Sequence, residues 1–163
     1  MDAESGSAVE VFRSVSVPLT PARAFELFTT RMTQFWPKEH SIGNSELAEV
    51  VVEPRNGGRW FERGVDGSEC QWGRVGVWDP PRKVVLLWQI GADWQFDPEF
   101  ETEVEVTFTE EGPDRSRLDL RHRNLQRYGD RTDQMWAIFD DPAGWTGTLA
   151  GFVDLAAKTT PHR

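Results

Sequence analysis

Three histidines are the chain's candidate acid–base groups, and His122 is distinguished by its place in an alternating segment. It is in phase with Leu118 and Leu120, so the pattern predicts that its imidazole points inward among apolar side chains. A buried imidazole needs a hydrogen-bond partner or a ligand. Two interpretations stay open: a ligand-facing group or general base, and a core histidine satisfied by a backbone carbonyl or a buried water.

His40 follows Trp36-Pro37 in a short polar segment, which predicts a loop. In one interpretation, its imidazole lies at the rim of a cavity and orients a ligand. In the other, the imidazole ties down its own backbone within the loop. The sequence supports both interpretations equally.

Glu62 and Arg74 carry opposite charges on the two strands of a predicted hairpin. With the turn centred near Ser68, position 62 is expected to face position 74. The pair is then either an exposed ion pair, worth less than about 1 kcal/mol, or a polar pair inside a cavity. Apolar residues lie on both faces of these strands and leave the inward face undecided, with one face carrying Trp60, Trp72 and Trp78 and the other Phe61, Val75 and Val77.

Other catalytic signatures are missing from the sequence. It contains no Gly-x-Ser-x-Gly, His-Glu-x-x-His or Cys-x-x-Cys motif. Gly57-Gly58 precedes a strand and not a helix, so it does not form a phosphate loop. Cys70 has no activating cluster beside it in the sequence. We therefore assign no catalytic residue, expect neither a metal nor a cofactor, and favour a binding protein over an enzyme.

Aromatic residues dominate the apolar composition, with eight Trp and ten Phe but a single Tyr. So many rings with so few hydroxyl groups favour a wide and hollow interior. The charge is acidic, with 18 Lys and Arg against 27 Asp and Glu. This charge argues against nucleic-acid binding and against docking on anionic lipids.

Neither a membrane span of about 18 apolar residues nor a secretory signal is evident in the sequence. The single cysteine cannot form an internal disulfide, which suits a cytoplasmic protein. An acidic surface resists non-specific association, so we expect a monomer or a weak homodimer.

The elements that must position these residues follow from hydrophobic periodicity. Alternation from Val9 predicts a first strand, and Thr20 is the expected N-cap of a helix that follows. Six strands come next, at residues 48–53, 59–63, 71–78, 84–90, 102–109 and 117–123. Glu and Arg side chains of the last two strands are expected to pair on the solvent face. A final helix begins near Pro142, with Asp141 as its cap.

This order predicts an α+β domain over residues 9–158, between tails at 1–8 and 159–163. Its seven strands form an antiparallel sheet that curves around a long C-terminal helix. Gly147 and Gly151 are expected to let that helix approach the sheet. A cavity between sheet and helix is predicted, with its wall formed by Trp36, His40, Trp72, Trp88, Val104, Val106, Phe108, Leu118, Leu120, His122, Trp145 and Leu149.

Several ordered motifs carry a resemblance to a known family. They are Glu53-Pro54-Arg55-x-Gly57-Gly58-Arg59-Trp60-Phe61-Glu62-Arg63, Asp66-Gly67-Ser68-Glu69, Trp72-Gly73-Arg74-Val75, Trp78-Asp79-Pro80-Pro81-Arg82, His40-Ser41-Ile42-Gly43, Thr102-Glu103-Val104-Glu105-Val106, His122-Arg123 and Gly144-Trp145. Over about residues 9–157 the chain resembles the START-like (SRPBCC) superfamily, in the branch homologous to activators of a heat-shock chaperone ATPase. The resemblance implies the helix-grip fold, in which sheet and C-terminal helix enclose an apolar cavity.

Three functions are consistent with this resemblance, because the superfamily's fold does not fix a reaction. We favour non-catalytic binding of a small hydrophobic molecule, such as a lipid, a polyketide or another aromatic compound. The second hypothesis is a co-chaperone that activates a heat-shock ATPase, although such activators carry a further N-terminal domain that this sequence lacks. The third is a cyclase or dehydratase that uses His122 or His40 as a base.

Overall fold

The structure is a computed structural model that describes residues 9–37, 40, 42–43 and 45–159. The predicted tail at 1–8 and residues 160–163 of the other predicted tail lie outside the described residues. So do four positions of the loop that contains His40, namely Lys38, Glu39, Ser41 and Asn44.

Seven strands form one antiparallel sheet, as the alternation predicted. From β2 onward each strand pairs with the next along the chain, and β1 closes the series by pairing with β7, which gives the order β1-β7-β6-β5-β4-β3-β2. The strands are β1 Val11–Val17, β2 Leu47–Val52, β3 Arg59–Gly64, β4 Glu69–Asp79, β5 Lys83–Trp88, β6 Thr102–Gly112 and β7 Arg115–Arg123.

The helices lie before β2 and after β7: α1 Pro21–Thr30, α2 Met32–Phe35, a 3-10 segment Leu125–Arg131, α3 Thr132–Asp140, a π-helical turn Pro142–Thr146 and α4 Gly147–Thr159. Thr20 caps α1 as predicted, since its hydroxyl accepts a bond from the Arg23 N–H. The apolar side of α4 packs into the curled sheet, which confirms the helix-grip architecture.

The predicted final helix is divided near its start. Gly144 leaves helical geometry at φ −85° and ψ −125°, so the chain makes a π-helical turn before α4 begins. A Cβ at this position would lie 2.5 Å from the carbonyl oxygen of Phe139. Only glycine permits this close approach to the end of α3, a tertiary contact that helical periodicity does not report.

The solvent face of the sheet carries the predicted charge ladder. Arg123 on β7 contacts Glu103 at 2.9 Å and Glu105 at 2.7 Å on β6. On the other face, five phenylalanines fill the space between α1, α2, α4 and the sheet with ring centroids 5.3–6.0 Å apart, namely Phe25, Phe28, Phe35, Phe108 and Phe152. Gly151 brings α4 close to α2, because a Cβ there would lie 3.0 Å from the Phe35 carbonyl oxygen. The predicted approach of this glycine to the sheet is therefore wrong.

The β3–β4 hairpin corrects the expected pairing of Glu62 with Arg74. Arg63 lies opposite Glu69, so the turn is centred near Asp66 and not near Ser68. Glu62 therefore faces Cys70, and Arg74 lies opposite Arg59 after a β-bulge next to Trp60. A bulge adds a residue on one strand and shifts the register, which the alternating pattern alone does not reveal.

Gly73 on β4 lies opposite Trp88 on β5, close to the backbone of that strand. An added Cβ would lie 1.7 Å from the backbone carbonyl oxygen of Leu87, an atom that cannot rotate away. We expect Gly73→Ala to lower the free energy of unfolding by at least about 2–3 kcal/mol, measured by urea denaturation. Gly76→Ala is the matched control, because its Cβ would meet only the Leu87 side chain at 3.2 Å. Equal stability of the two variants would contradict this packing.

Candidate functional site

A cavity of about 350 Å³ opens at the N-terminal end of α4. Its size lies within the range of small-molecule sites, about 300–1,000 Å³. Aromatic and aliphatic side chains form most of its wall, whose residues are Trp36, His40, Ile42, Trp72, Trp88, Ile90, Trp94, Ile138, Phe139, Gly144, Trp145 and Thr148.

Four separate parts of the fold bring these side chains together. β4 and β5 present Trp72 and Trp88 from the inner face of the sheet. Trp36 follows the last residue of α2, and Trp145 lies in the π-helical turn before α4. Since the strand residues alternate between faces, both sheet tryptophans point toward the helices.

The four tryptophans form a contiguous aromatic wall. The ring centroids of Trp36 and Trp72 are 4.8 Å apart, and those of Trp36 and Trp145 are 5.7 Å apart at an interplanar angle of 82°. Trp88 lies 6.3 Å from Trp145. Edge-to-face packing of the kind seen between Trp36 and Trp145 is favourable for aromatic rings.

The structure places five of the twelve residues expected in the wall on the cavity itself: Trp36, His40, Trp72, Trp88 and Trp145. The other apolar ones face inward as their phase predicted but do not line the cavity: Val104, Val106, Phe108, Leu118, Leu120 and Leu149. The phenylalanines of α1, α2 and α4 occupy the space in front of this group, so the sheet and helix enclose solid core there. His122 lies behind Trp145 and outside the wall.

Seven wall residues were not expected from the sequence: Ile42, Ile90, Trp94, Ile138, Phe139, Gly144 and Thr148. Most lie in loops or at helix ends, where no periodic pattern marks an inward face. Of these seven residues, only Trp94 could have been suspected from the sequence, since an isolated tryptophan in a polar loop is unusual. It lies 39% exposed with φ +62°, a left-handed conformation that is rare for a large side chain.

His122 is fully buried and both of its ring nitrogens are engaged. Its Nδ1 accepts a bond of 3.1 Å from the indole N–H of Trp145, which can only donate. The neutral ring therefore carries its proton on Nε2, which lies 2.8 Å from the Thr102 hydroxyl. Burial lowers the pKa of His122 to about 3. The histidine is thus a satisfied core group, with side chains in place of the carbonyl or water considered above.

Glu62 is a second buried polar group, 1% exposed. One of its carboxylate oxygens accepts from the Ile42 N–H at 2.7 Å and from the Trp72 indole at 2.8 Å. The other accepts from the Gly43 N–H at 3.0 Å. Arg74 instead contacts Glu101 at 3.1 Å, so neither expected form of the Glu62–Arg74 pair exists.

The wall carries little charge and two indole donors without a partner. Its described residues include no Asp, Glu, Lys or Arg. The N–H groups of Trp36 and Trp88 are buried and make no hydrogen bond. The Trp88 ring also lies near Tyr128, whose pKa is raised by burial and lowered to a smaller extent by that indole. Trp36 is therefore the clearer unpaired donor.

Within the described ranges, no three or more His, Cys, Asp and Glu side chains form a group that could hold a metal ion. Burial raises the pKa of the Cys70 thiol, with the nearby carboxylate of Glu62 adding to the shift. A raised pKa keeps a thiol protonated and unreactive. No described helix is long and apolar enough to cross a membrane.

A comparison with protein-family models matches most of the chain. The model described as "Activator of Hsp90 ATPase homolog 1-like protein" matches residues 18–157. The chain belongs to this family. The match covers strands β2 to β7 and the helices that build the aromatic wall, so it confirms the resemblance drawn from the ordered motifs.

Solved structures add more specific similarities to this member of the family. The anthrahydroquino-γ-pyrone synthase Txn09 is 36% identical, with 90% of this chain and 96% of that chain covered and a TM-score of 0.64. The self-sacrificing resistance protein CalC from Micromonospora echinospora is 25% identical, with 94% and 97% covered and a TM-score of 0.71. The Aha1 dimer from Colwellia psychrerythraea is 15% identical, with 91% and 96% covered and a TM-score of 0.61, which shows the fold alone. No curated protein matches the chain.

His122 makes the stability of the protein depend on pH. Burial lowers its pKa from 6.5 to about 3, so between these values the unfolded chain binds a proton that the folded chain does not. Its contribution is therefore complete above pH 6.5 and falls by up to about 1.4 kcal/mol per pH unit as the pH drops toward 3. We expect His122→Gln to show a shallower loss of unfolding free energy between pH 6.5 and 4 in urea titrations.

Thr102→Val serves as the matched variant for this measurement. It removes the Nε2 partner of His122 but keeps the titrating ring. Its stability is expected to fall at every pH while its pH dependence stays close to that of the wild type. Parallel pH dependences for the wild type and His122→Gln would refute the assignment.

Proposed function

We propose that this protein binds a flat, uncharged, multi-ring aromatic molecule of the polyketide class in the tryptophan-walled cavity. The observation that carries the proposal is the wall itself: four buried tryptophans surround about 350 Å³ of space without an Asp, Glu, Lys or Arg among its described residues. Planar rings match such a wall because they can pack against indole faces and edges.

Size and shape favour a ligand of two or three fused rings over a long chain. The cavity is compact at about 350 Å³, and none of the phenylalanines of α1, α2 and α4 lines it. A fatty acid would need a longer channel for its tail and a cation for its carboxylate. A fused aromatic compound needs neither.

Polar groups on the wall indicate which atoms the ligand presents. Thr148 offers a hydroxyl, whose proton is donated to the Gly144 carbonyl oxygen at 3.3 Å. The lone pairs of this oxygen can still accept a hydrogen bond from a ligand. Phenolic hydroxyl groups on an aromatic skeleton supply such donors.

The comparisons support the same class of ligand. The 36% identical relative is a synthase whose name contains a fused aromatic and pyrone skeleton. The 25% identical relative is a resistance protein. Both are similar to this chain over nearly its whole length.

A second candidate function is ring closure, since the 36% identical relative is a synthase. His40 is then the acid–base group. The described wall residues include no other His and no Asp, Glu, Lys or Arg. His122 is unsuited to this role because Trp145 already occupies its accepting nitrogen.

The co-chaperone hypothesis has no support from the cavity. A cytoplasmic monomer or weak homodimer stays a prediction.

Binding can be tested with the hydroxyanthraquinone emodin, followed by quenching of tryptophan fluorescence. We expect saturable quenching by emodin and none by palmitate. Ile42→Trp places a large ring at the cavity wall and should weaken emodin binding at least about tenfold, since the ligand then competes with a side chain for space. Val77→Trp adds the same ring on the exposed part of β4 and should leave binding unchanged.

The outcomes separate the candidate functions. Equal affinity of both variants for emodin, or no saturable quenching at all, would rule out the cavity as the site. Ring closure is tested with an ortho-hydroxyaryl β-diketone, which forms a γ-pyrone as its phenol oxygen attacks a ketone and water leaves. Faster closure with the wild type, reduced about 10²–10⁴-fold in His40→Gln, would make the protein an enzyme. Unaltered diketone supports binding without catalysis.

A further inference from the structure

We propose that Glu62 is the positioning residue of the cavity, a buried carboxylate around which the rim loop and one wall of the site are assembled. This inference rests on the proposed binding function for its consequence, while its structural basis is independent of any ligand. The rim loop is defined here as the described residues between Trp36 and Ser45, and it contributes His40 and Ile42 to the wall.

Three N–H groups converge on the Glu62 carboxylate. Two are the consecutive backbone amides of Ile42 and Gly43 in the rim loop, at 2.7 and 3.0 Å. The third is the indole of Trp72 on β4, at 2.8 Å. One side chain thus joins a loop without regular structure to a strand residue of the wall.

The partners suit a carboxylate and no other side chain of this length. All three are donors, and both oxygens of an ionised carboxylate accept. No arginine or lysine among the described residues forms an ion pair with Glu62, so N–H dipoles alone balance its charge. Bonds of this charge-assisted kind are stronger than neutral ones, and losing them leaves buried groups unsatisfied.

The rim loop is shaped to reach this carboxylate. A Cβ on Gly43 would lie 2.8 Å from Oε2 of Glu62 and 3.2 Å from Sγ of Cys70. A residue larger than glycine would therefore force the loop and the Glu62 carboxylate apart. Among the described loop amides, that of His40 bonds to the Pro37 carbonyl oxygen, whereas those of Ile42 and Gly43 bond to Glu62, which therefore satisfies this part of the loop.

Order in the rim loop controls the shape of the cavity. Ile42 is itself a wall residue and is bonded through its backbone to Glu62, and Trp72 is fixed by the same oxygen. When the loop leaves its place, the binding-competent arrangement is populated only part of the time. Apparent affinity falls in proportion to that fraction.

The test is Glu62→Gln, which keeps the size of the side chain but replaces one acceptor oxygen by an NH₂ donor. That donor must face at least one of the three N–H groups. We expect hydrogen exchange at the amides of Ile42 and Gly43 to accelerate about tenfold or more, while the strand amides stay protected. Emodin affinity should fall at least about tenfold, because a rim loop that holds its position about one-tenth of the time lowers the apparent affinity by that factor.

Glu103→Gln is the matched control, because Glu103 lies on the outer face of the sheet and contacts Arg123. It should change neither rim-loop exchange nor emodin affinity. A purely structural role for Glu62 would lower the melting temperature without a selective change in these two amides. Unchanged exchange at Ile42 and Gly43 in Glu62→Gln overturns the inference, whether or not emodin binds.

Gly43→Ala probes the same contact from the loop side and keeps the inference falsifiable if Glu62→Gln fails to fold. Its Cβ would meet Oε2 of Glu62 and separate the loop from the carboxylate while leaving Glu62 itself unchanged, so it should reproduce the faster amide exchange and the weaker binding. Normal exchange and normal affinity in Gly43→Ala would count against the inference. If the wild type does not bind emodin, the proposed function fails, and the exchange measurement still decides the role of Glu62.

Discussion

Packing of large rigid rings between a curved sheet and a helix is the constraint on which this structure depends. Rings can fill space closely only when neighbouring rings interlock. Near the middle of α4, Phe28, Phe35 and Phe152 pack with centroids 5.3–5.5 Å apart. At the N-terminal end of α4, Trp36 lies 4.8 Å from Trp72 and 5.7 Å from Trp145 between ring centroids, and a cavity of about 350 Å³ lies beside these rings.

The same tryptophans also satisfy the polar groups buried behind the wall. Trp145 donates to His122, and Trp72 donates to Glu62. An indole has one polar atom and a large apolar surface, so it can face a cavity with its ring and a buried acceptor with its nitrogen. This division of roles keeps the wall apolar while the two buried acceptors retain their hydrogen bonds.

Family membership fixes the fold of this protein, and the cavity carries the argument about its function. Relatives with the same architecture include a synthase and a resistance protein, so chemistry within this fold depends on wall residues and not on topology. Here the wall offers aromatic faces, one histidine and the hydroxyl of Thr148. The proposed aromatic ligand rests on these groups.

The sequence by itself determined the seven strands, the cap at Thr20 and the inward direction of His122, because alternation and capping are local properties of the chain. Its ordered motifs also indicated the family. Only the tertiary structure decided which inward residues line the cavity and which pack against other side chains. Val106 and Trp88 both lie at inward positions of alternating strands, yet only Trp88 lines the cavity. The partners of Glu62 were equally hidden, because a bulge beside Trp60 and a loop folded onto the carboxylate are long-range features without a periodic trace.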